Sequence, residues 1–224
     1  MPVRKIPKNY LGVTGAFPSR KNGRALGFES LLERDYMIRL EFDEGVESFE
    51  EQPVRIPVVG KGRRPATYVP DVLIRYRRAR NGRARRPVLA EVKKQADLDK
   101  YKEKYAPKFA AARKFAAERG WEFRTVTEKD IRTPRLPNLK FLREYHLIDP
   151  EPGATDRVLK AVRAMGGAPG FQALINEMHD TDAGRLATIP VIWHLVAIGV
   201  LHVDLDRPIN NETVVSLPAR GSRQ

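Results

Sequence analysis

Two short stretches of the chain place acidic and basic side chains where they could hydrolyse a phosphodiester. Asp71 follows a proline, and further along the chain Glu91 and Lys93 form a Glu-Val-Lys triplet. Carboxylates hold hard divalent cations, which stabilise charge on phosphate oxygens and lower the pKa of a bound water. Lys93 could orient that water or neutralise the developing oxyanion. The pattern therefore favours a metal-dependent nuclease, with Asp71 and Glu91 as metal ligands. The alternative is that Asp71 serves a turn, and that Glu91 and Lys93 form a solvated strand face or a cross-strand ion pair.

Lys93 is not expected to act as the general base. A lysine abstracts protons at neutral pH only when its pKa is lowered, and neighbouring carboxylates raise that pKa. A third carboxylate is expected from the helix that precedes the strands. Glu33 lies about 100° around that helix from Leu32, at the edge of its apolar stripe, so its side chain could reach the rim of the sheet. Glu29, one turn earlier, is the alternative.

The elements that must position these residues follow from the hydrophobic periodicity. An apolar residue recurs every four positions over 28–41, which predicts a helix. Glu91 and Lys93 are two residues apart on a predicted strand over 87–93, so both point to one face. Strands are also predicted at 46–51 and 67–76, the second interrupted near Pro70. Asn81-Gly82 is a strong hairpin signal between the last two strands.

A long helix is predicted next, over about 96–119, with Pro107 expected to break or kink it. A strand over 121–127 and a short helix over 139–148 follow. An antiparallel meander joined to a last strand by a long helix predicts an α/β fold with a mixed sheet flanked by helices. We expect this catalytic domain to span residues 1–149, with residues 1–27 as a loose basic arm.

The net charge of +13 is concentrated in that part of the chain. Residues 1–149 hold 34 Lys and Arg against 20 Asp and Glu, whereas residues 150–224 hold seven against eight. Such an excess predicts a polyanionic partner, most commonly nucleic acid. The expected contacts to the DNA backbone are made by Arg77, Arg78, Arg80, Arg83, Arg85, Arg86 and Lys94. The alternative is that the arginines decorate a flexible, solvated hairpin.

The N-terminal basic residues could contact DNA in the same way or be disordered. They are Arg4, Lys5, Lys8, Arg20, Lys21 and Arg24. Contacts of this kind position the duplex without reading its sequence, and they make affinity depend on salt.

The tail over 150–224 changes character. Three helical segments followed by two short strands predict a small winged helix-turn-helix domain. Its expected recognition helix, about 185–199, is mostly apolar and the region is slightly acidic, which favours docking onto a protein over reading a DNA groove. The histidines at 179, 194 and 202 lack convincing zinc spacing.

Several classes of protein are excluded by composition. The chain has no cysteine, so disulfides, thiolate metal sites and cysteine nucleophiles are ruled out. No apolar run is long enough to cross a bilayer, and the first residues lack the apolar core of a signal peptide. We therefore expect a cytoplasmic protein without a membrane partner.

Three stretches together resemble the TnsA-type endonuclease subunit of heteromeric bacterial transposases. They are LLERDYMIRLEFDEGVESFEEQPVRI, TYVPDVLIRY and VLAEVKK. The resemblance covers about residues 28–148 and implies a restriction-endonuclease-like fold. It places the catalytic residues at Glu33, Asp71, Glu91 and Lys93, with the three acids as metal ligands. Gln52 matches a recurring residue and is expected to support the site, although a strand-end hydrogen bond would also explain it.

The resemblance also implies a biological role. Such subunits use Mg²⁺, with Mn²⁺ expected to substitute, to cut the 5′ ends of a transposon, the strands that are not joined to the target. The implied partners are double-stranded transposon-end DNA, a DDE-type (TnsB-like) transposase that cuts the 3′ ends, and an AAA+ (TnsC-like) ATPase. Two alternatives remain at this stage: a stand-alone restriction or repair nuclease, and a non-catalytic basic scaffold.

Overall fold

The structure, a computed structural model, describes residues 13–58, 66–79, 82 and 84–218. The chain divides into two compact units, Met1–Arg132 and Thr133–Gln224. No helix in the described part of the chain is long and apolar enough to cross a membrane.

Among its described residues, the first unit contains eight strands and four helices. They are β1 (Gly15–Ser19), β2 (Arg24–Phe28), α1 (Leu31–Phe42), β3 (Val46–Glu51), β4 (Ile56–Val58), β5 (Ala66–Tyr68), β6 (Val72–Tyr76), β7 (Val88–Val92), α2 (Gln95–Lys100), α3 (Lys102–Ala117), β8 (Glu122–Val126) and α4 (Glu128–Ile131).

A four-stranded mixed sheet in the order β3-β6-β7-β8 is the frame of this unit. The β3, β6 and β7 strands are antiparallel neighbours, whereas β8 runs parallel to β7. A parallel neighbour requires a crossover connection, and α2 and α3 provide it. The predicted mixed sheet flanked by helices is therefore confirmed, and β6 and β7 pair antiparallel as predicted. Asn81 of the predicted Asn-Gly turn lies outside the described residues.

Strand β7 is buried along its whole length, because helices cover both faces of the sheet. On one face Leu73 and Leu89 pack with Phe109 and Ala112 of α3. Alternation along the strands turns Val88, Ala90 and Val92 to the other face, where α1 packs against β3 and β7. The central strand is thus held rigidly, which fixes the residues at its end.

The predicted loose arm over 1–27 is wrong for its second half. Residues from Gly15 onward form the antiparallel β1–β2 hairpin, and Phe17 and Leu26 are buried. The Glu41 carboxylate of α1 accepts hydrogen bonds from Ser19 Oγ (2.6 Å) and from the backbone N–H groups of Arg20 (2.9 Å) and Lys21 (3.1 Å). These buried bonds fasten the hairpin to the C-terminal half of α1.

Two basic residues of the predicted arm are part of this attachment. The Lys21 ammonium donates to the backbone carbonyls of Asp43 and Val46, the latter at 2.9 Å. The Arg24 guanidinium forms a two-bond pair with the buried Glu51, both at 2.7 Å. Their hydrogen-bond capacity serves the fold. The basic residues Arg4, Lys5 and Lys8 lie outside the described residues.

Pro107 does not break the helical stretch as predicted. The break falls at Tyr101, between α2 and α3, and Pro107 lies inside α3. The proline is exposed and close to the helix start, so the single carbonyl that loses its partner can be hydrated. The aromatic side chains of α3 then pack on the sheet, Phe109 against Phe123 with ring centroids 5.4 Å apart.

In the second unit, the residues up to 218 that the structure describes form four helices: α5 (Arg135–Arg143), α6 (Ala154–Ala164), α7 (Phe171–Met178) and α8 (Asp182–Ala197). Its core is built around α8, of which residues 191–197 are all buried. Trp193 stacks on Phe171 with ring centroids 4.4 Å apart. The helix that occupies the position of a recognition helix, which the sequence favoured for protein docking, therefore supplies the centre of the core of its unit.

The winged helix-turn-helix is not confirmed. The three predicted helices are present, but in the described part of the tail the two predicted strands reduce to isolated bridges, His202 with Ser216 and Gly170 with Val214. Asn138 instead holds the loop that follows α8, since its amide donates to the carbonyls of Leu205 (2.8 Å) and Arg207 (2.7 Å).

The division between the units comes earlier than the predicted boundary at 149/150. Helix α5 packs against α8. Phe141 meets Trp193 edge-on, and the ring of His194 is hydrogen-bonded to the carbonyl of Tyr145 at 2.8 Å. The turn-forming residues after Asp149 resemble a linker in the sequence, yet they only connect α5 to α6.

Candidate active site

Asp71 occupies the gap between β5 and β6 and is held by its backbone. Its N–H donates to the carbonyl of Ala90 (3.1 Å), and its own carbonyl accepts from the N–H of Gln52 (2.8 Å). Pro70 removes the donor that would continue a strand, so the chain bends there. The Asp71 carboxylate accepts the N–H of Val92 at 2.7 Å. One oxygen of the side chain is therefore fixed against the end of β7.

Glu91 and Lys93 meet Asp71 at that same end. The Lys93 N–H donates to Val126 (3.0 Å), which continues the parallel pairing past β7. Its ammonium lies 2.9 Å from Oε1 of Glu91 and 3.4 Å from Oδ2 of Asp71. Strand pairing thus brings together the three residues that the sequence placed in one site, with the cation between the two carboxylates.

Tyr68 is a member of the cluster that the sequence did not indicate. Its hydroxyl donates to Oε2 of the buried Glu91 at 2.7 Å. Burial and the charge of Glu91 raise the pKa of Tyr68 above its usual range, so the phenol stays a donor. Its ring lies among apolar residues beside Phe109. A tyrosine three residues before Asp71 on a short strand carries no signal in the sequence for this contact.

Glu33 lies in the first turn of α1, and its carboxylate folds back on the N-terminal end of the helix. Ser30 is the N-cap, accepting the Glu33 N–H at 3.1 Å and donating its hydroxyl to Glu33 Oε1 at 2.9 Å. The other carboxylate oxygen accepts the N–H of Glu29 at 2.8 Å. This reciprocal arrangement is a variant of the capping box, in which the carboxylate accepts the N–H of Glu29 in place of the N-cap N–H. The sequence signature was present as Ser-Leu-Leu-Glu, so the helix start was predictable from it.

Gln52 joins the helix end to the strands. It is the sole non-glycine with a left-handed backbone among the described residues, at φ 44°, and it is only 6% exposed. Its amide donates to Glu29 at 2.9 Å, while its buried amide oxygen has no hydrogen-bond partner among the described groups. A strained, buried glutamine with an unmatched acceptor is costly for folding, which is a common mark of a functional site.

The acids of the cluster resist ionisation. Burial first, and the charge of Asp71 second, raise the pKa of Glu33 to about 7 and that of Glu91 to about 7. Burial also raises the pKa of Asp71, although Lys93 opposes it. Burial lowers the pKa of Lys93, but Asp71 and Glu91 outweigh it, so the ammonium persists. Negative charge here exceeds what one ammonium balances.

Glu33 and Glu29 both influence Asp71 electrostatically. The charge of Asp71 contributes to the raised pKa of Glu33, and the charge of Glu29 contributes to that of Asp71. Glu33 in the first turn of α1 and Glu29 just before the helix therefore both lie near Asp71. Within the described residues, no group of three or more His, Cys, Asp or Glu side chains is arranged as a ready-made metal site.

The arginines assigned to DNA lie at the opposite end of β7. Arg77, Arg78, Arg85 and Arg86 are exposed in the loop from β6 to β7. The extended chain from Arg86 to Glu91 covers roughly 16 Å, so these arginines do not flank the acidic cluster. Lys94, by contrast, is exposed directly beside it. Arg80 and Arg83 lie outside the described residues.

A mixed sheet covered by helices, with two carboxylates and a lysine at one edge, fits the restriction-endonuclease-like class of nuclease. The comparison with protein families is more specific. Residues 43–128 match the family model described as "TnsA-like endonuclease N terminal". This part of the chain is similar to the N-terminal domain of TnsA-like endonucleases, and the match confirms the resemblance drawn from the sequence over this range. The comparison with curated proteins found no match.

The matched range runs from the end of α1 to the start of α4. It includes Gln52, Tyr68, Asp71, Glu91 and Lys93, so the strand part of the cluster lies within the range that is similar to TnsA-like endonucleases. Glu33 precedes the matched range and joins the cluster through the packing of α1 on the sheet.

Proposed function

We propose that the chain is a metal-dependent DNA endonuclease subunit of a transposase. It hydrolyses the phosphodiester at the 5′ ends of a transposon, on the non-transferred strands, and so permits cut-and-paste transposition. The observation that supports this most directly is the Lys93 ammonium between Asp71 and Glu91, inside a domain that matches TnsA-like endonucleases.

The residues present fit a hard divalent cation. The candidate donors are carboxylate oxygens of Glu33, Asp71 and Glu91, which Mg²⁺ and Mn²⁺ prefer. The buried amide oxygen of Gln52 is an unmatched acceptor near them. The raised pKa values of Glu33 and Glu91 mean that added positive charge would stabilise the folded site. When bound, Mg²⁺ would stabilise charge on the phosphate and acidify a water.

Lys93 supplies a permanent positive charge. Its raised pKa keeps it protonated throughout the physiological range, so it donates hydrogen bonds and does not remove protons. Its contacts with Glu91, Asp71 and the Val92 carbonyl (3.0 Å) hold the ammonium at the edge of the site. Lys93 can therefore orient a water or neutralise charge that develops on the phosphate.

Tyr68 and Val92 fix the directions of the two strand carboxylates. The Tyr68 hydroxyl engages one oxygen of Glu91, and the Val92 N–H engages one oxygen of Asp71. Each carboxylate then presents its remaining acceptor sites in a set direction. Such preorganisation lowers the cost of assembling the reactive geometry.

The remaining assignments follow from the family resemblance. We place the protein in the cytoplasm, acting on double-stranded transposon-end DNA together with a DDE-type transposase and an AAA+ ATPase. The second unit is proposed to dock onto one of those proteins. The C-terminal half of its central helix α8 is buried, which disfavours insertion of that half into a DNA groove.

A strand-specific cleavage assay tests the proposal. Labelled transposon-end DNA would be incubated with Mg²⁺ or Mn²⁺, the partner transposase, and wild-type, Asp71→Asn or Asp99→Asn protein. Asp99 is an exposed acid on α2 and serves as the matched control. We expect the wild type and the control to nick the 5′-end strand only with the transposase, and Asp71→Asn to lose that nick.

Two results would overturn the assignment in different ways. Efficient cutting by the wild type alone would identify a stand-alone nuclease. Identical products with wild type and Asp71→Asn would mean that the acidic cluster is not catalytic and that the chain is a basic scaffold.

A further inference from the structure

A pocket of about 530 Å³ lies at the end of β7 that is remote from the acidic cluster. Its charged and aromatic lining comes from the β6–β7 loop and the neighbouring strands. Six of its lining residues are Tyr76, Arg85, Arg86, Val88, Glu122 and Arg124. The volume is in the range that accommodates a small polar group with its surroundings.

Arg85 is held in place within this pocket. Its guanidinium carbon lies 3.7 Å from the centroid of the Tyr76 ring. It also lies against Gly45, where an added Cβ would come within 3.4 Å of Arg85 Nη1. Stacking on an aromatic ring limits the freedom of the side chain before any ligand binds. The fold therefore already restricts Arg85, which lowers the entropic cost of binding a ligand there.

The pocket carries an excess of positive charge. Glu122 is its one acidic lining residue, and it engages Nε (2.7 Å) and Nη2 (2.8 Å) of Arg124. Among the described residues, no carboxylate lies within ion-pair distance of Arg85 or Arg86. Three arginines and one glutamate line the pocket, so it carries a net positive charge that attracts an anion.

We propose that this distal arginine pocket binds a backbone phosphate of the DNA that the domain cuts. That the ligand is DNA rests on the proposed nuclease function. Arginine forks match phosphate oxygens, and a backbone phosphate supplies the missing negative charge. With roughly 16 Å between Arg86 and Glu91 and about 3.4 Å per step along a strand, the anchored phosphate lies within about half a turn of the cut.

The pocket would therefore act as a second fixed point. One anchor allows the duplex to pivot about the active site, whereas two anchors along the same strand of the sheet set its direction. Contacts to phosphate set position and not sequence, which agrees with an endonuclease whose choice of DNA end comes from a partner.

Equilibrium DNA binding by the full chain tests the pocket. Fluorescence anisotropy with a labelled duplex in EDTA would be measured at several salt concentrations for wild type, Arg86→Gln and Arg124→Gln. We expect each variant to bind roughly three- to tenfold more weakly, with a salt slope lower by about one. Arg119→Gln on the exposed end of α3 is the control, because it removes one exposed positive charge elsewhere.

Removing a negative charge from the pocket is expected to raise its affinity for DNA. Glu122→Gln removes the one carboxylate of the pocket lining and should strengthen binding severalfold. Glu118→Gln, which disrupts the exposed pair of Glu118 with Arg119 (3.9 Å), is its control and should not. Unfolding of a variant cannot produce tighter binding, so this arm separates a ligand site from a structural ion pair. Equal affinities for Glu122→Gln and Glu118→Gln would overturn the proposal.

A competition experiment distinguishes a site for a free mononucleotide from a site for a DNA backbone phosphate. Adenosine monophosphate, compared with inorganic phosphate at equal ionic strength, should not displace the duplex further than inorganic phosphate does. Stronger displacement that disappears in Arg86→Gln would identify a mononucleotide site and overturn the DNA assignment. Because binding is measured without divalent metal, a wild type that binds through the pocket but never cuts would contradict the proposed function alone.

Discussion

The two ends of strand β7 use charge in opposite ways. At one end, Glu91 is 4% exposed and shares the Lys93 ammonium with Asp71. At the other end, Arg85 and Arg86 are exposed and face a single glutamate. Buried charges must be paired or they destabilise the fold, whereas exposed charges interact through solvent and are screened by salt.

In the proposed function, the acidic end of β7 carries out the chemistry and the basic end positions the DNA. The acidic end gains nothing from long-range attraction, since negative charge repels DNA, but its burial gives the electrostatic interactions their strength. The basic end attracts phosphate at little cost to folding. A rigid central strand keeps the two functions at a fixed separation. The two ends should therefore respond differently to substitution, to pH and to salt.

The largest effect is expected from Asp71→Asn. Loss of the charge that faces both Glu33 and Lys93 should reduce 5′-strand cleavage by roughly 10³-fold, as for other preorganised electrostatic groups. DNA affinity in EDTA should stay equal or rise, and the salt slope should not change. Quench-time cleavage assays and anisotropy titrations measure the two quantities. A fall in both affinity and salt slope would show that the acidic end also anchors DNA.

Lys93→Met should destabilise the fold in a pH-dependent manner. Without the ammonium, Asp71 and Glu91 are left as uncompensated buried charges, which costs about 3 kcal/mol of the free energy of unfolding at pH 8. Near pH 5 the carboxylates bind protons, so the loss should shrink. Urea unfolding at both pH values measures it.

Lys94→Met is the control, because the Lys94 side chain is exposed one residue away. It should leave stability unchanged at both pH values while weakening DNA binding slightly. An equal loss of stability in the two variants would mean that position on the strand end matters and that charge pairing does not.

Tyr68→Phe removes a single hydrogen bond from the acidic end. The Glu91 carboxylate loses a buried donor at 2.7 Å, which is worth about 2 kcal/mol when the acceptor is charged. Cleavage at pH 7 should fall about tenfold, with partial recovery at higher pH as Glu91 ionises. A pH–rate profile with and without the substitution measures this. A uniform loss at every pH would indicate a packing defect in place of an electrostatic effect.

The sequence was sufficient to place the acidic end. Alternation along β7 puts Glu91 and Lys93 on one face, and pairing with β6 brings in Asp71, so local patterns decide the cluster. It could not place Tyr68, whose hydroxyl reaches Glu91 only through the packing of β5. Gln52 was noticed by resemblance, but its left-handed backbone has no signature in the sequence.

Errors arose where tertiary packing overrides composition. The segment Gly15–Phe28 is rich in glycine and arginine and resembles a disordered arm, yet Glu41 and Glu51 fasten it to the domain as a hairpin. The sequence of helix α5 does not indicate the unit with which it packs, because an apolar stripe does not specify its partner. In each case the deciding contacts join residues far apart in the chain.

The smallest effect, and one of opposite sign, is expected from Glu33→Gln. The folded pKa of Glu33 is about 7, above the ordinary value of 4.5. The folded state therefore binds more protons than the unfolded state between these values, and this carboxyl costs stability as the pH rises through that window. A glutamine retains the capping box and removes the buried charge. The variant should gain about 1 kcal/mol at pH 8 and nothing near pH 4.5, while its cleavage falls.

Glu118→Gln, on the exposed surface of α3, is the control and should show no gain. Hydrogen exchange of the β7 amides follows the stability of the first unit separately from the second. A gain at pH 4.5 as large as at pH 8 would contradict the electrostatic origin. If cleavage also survived, the acidic end would draw its helix carboxylate from Glu29, which Gln52 already holds at 2.9 Å.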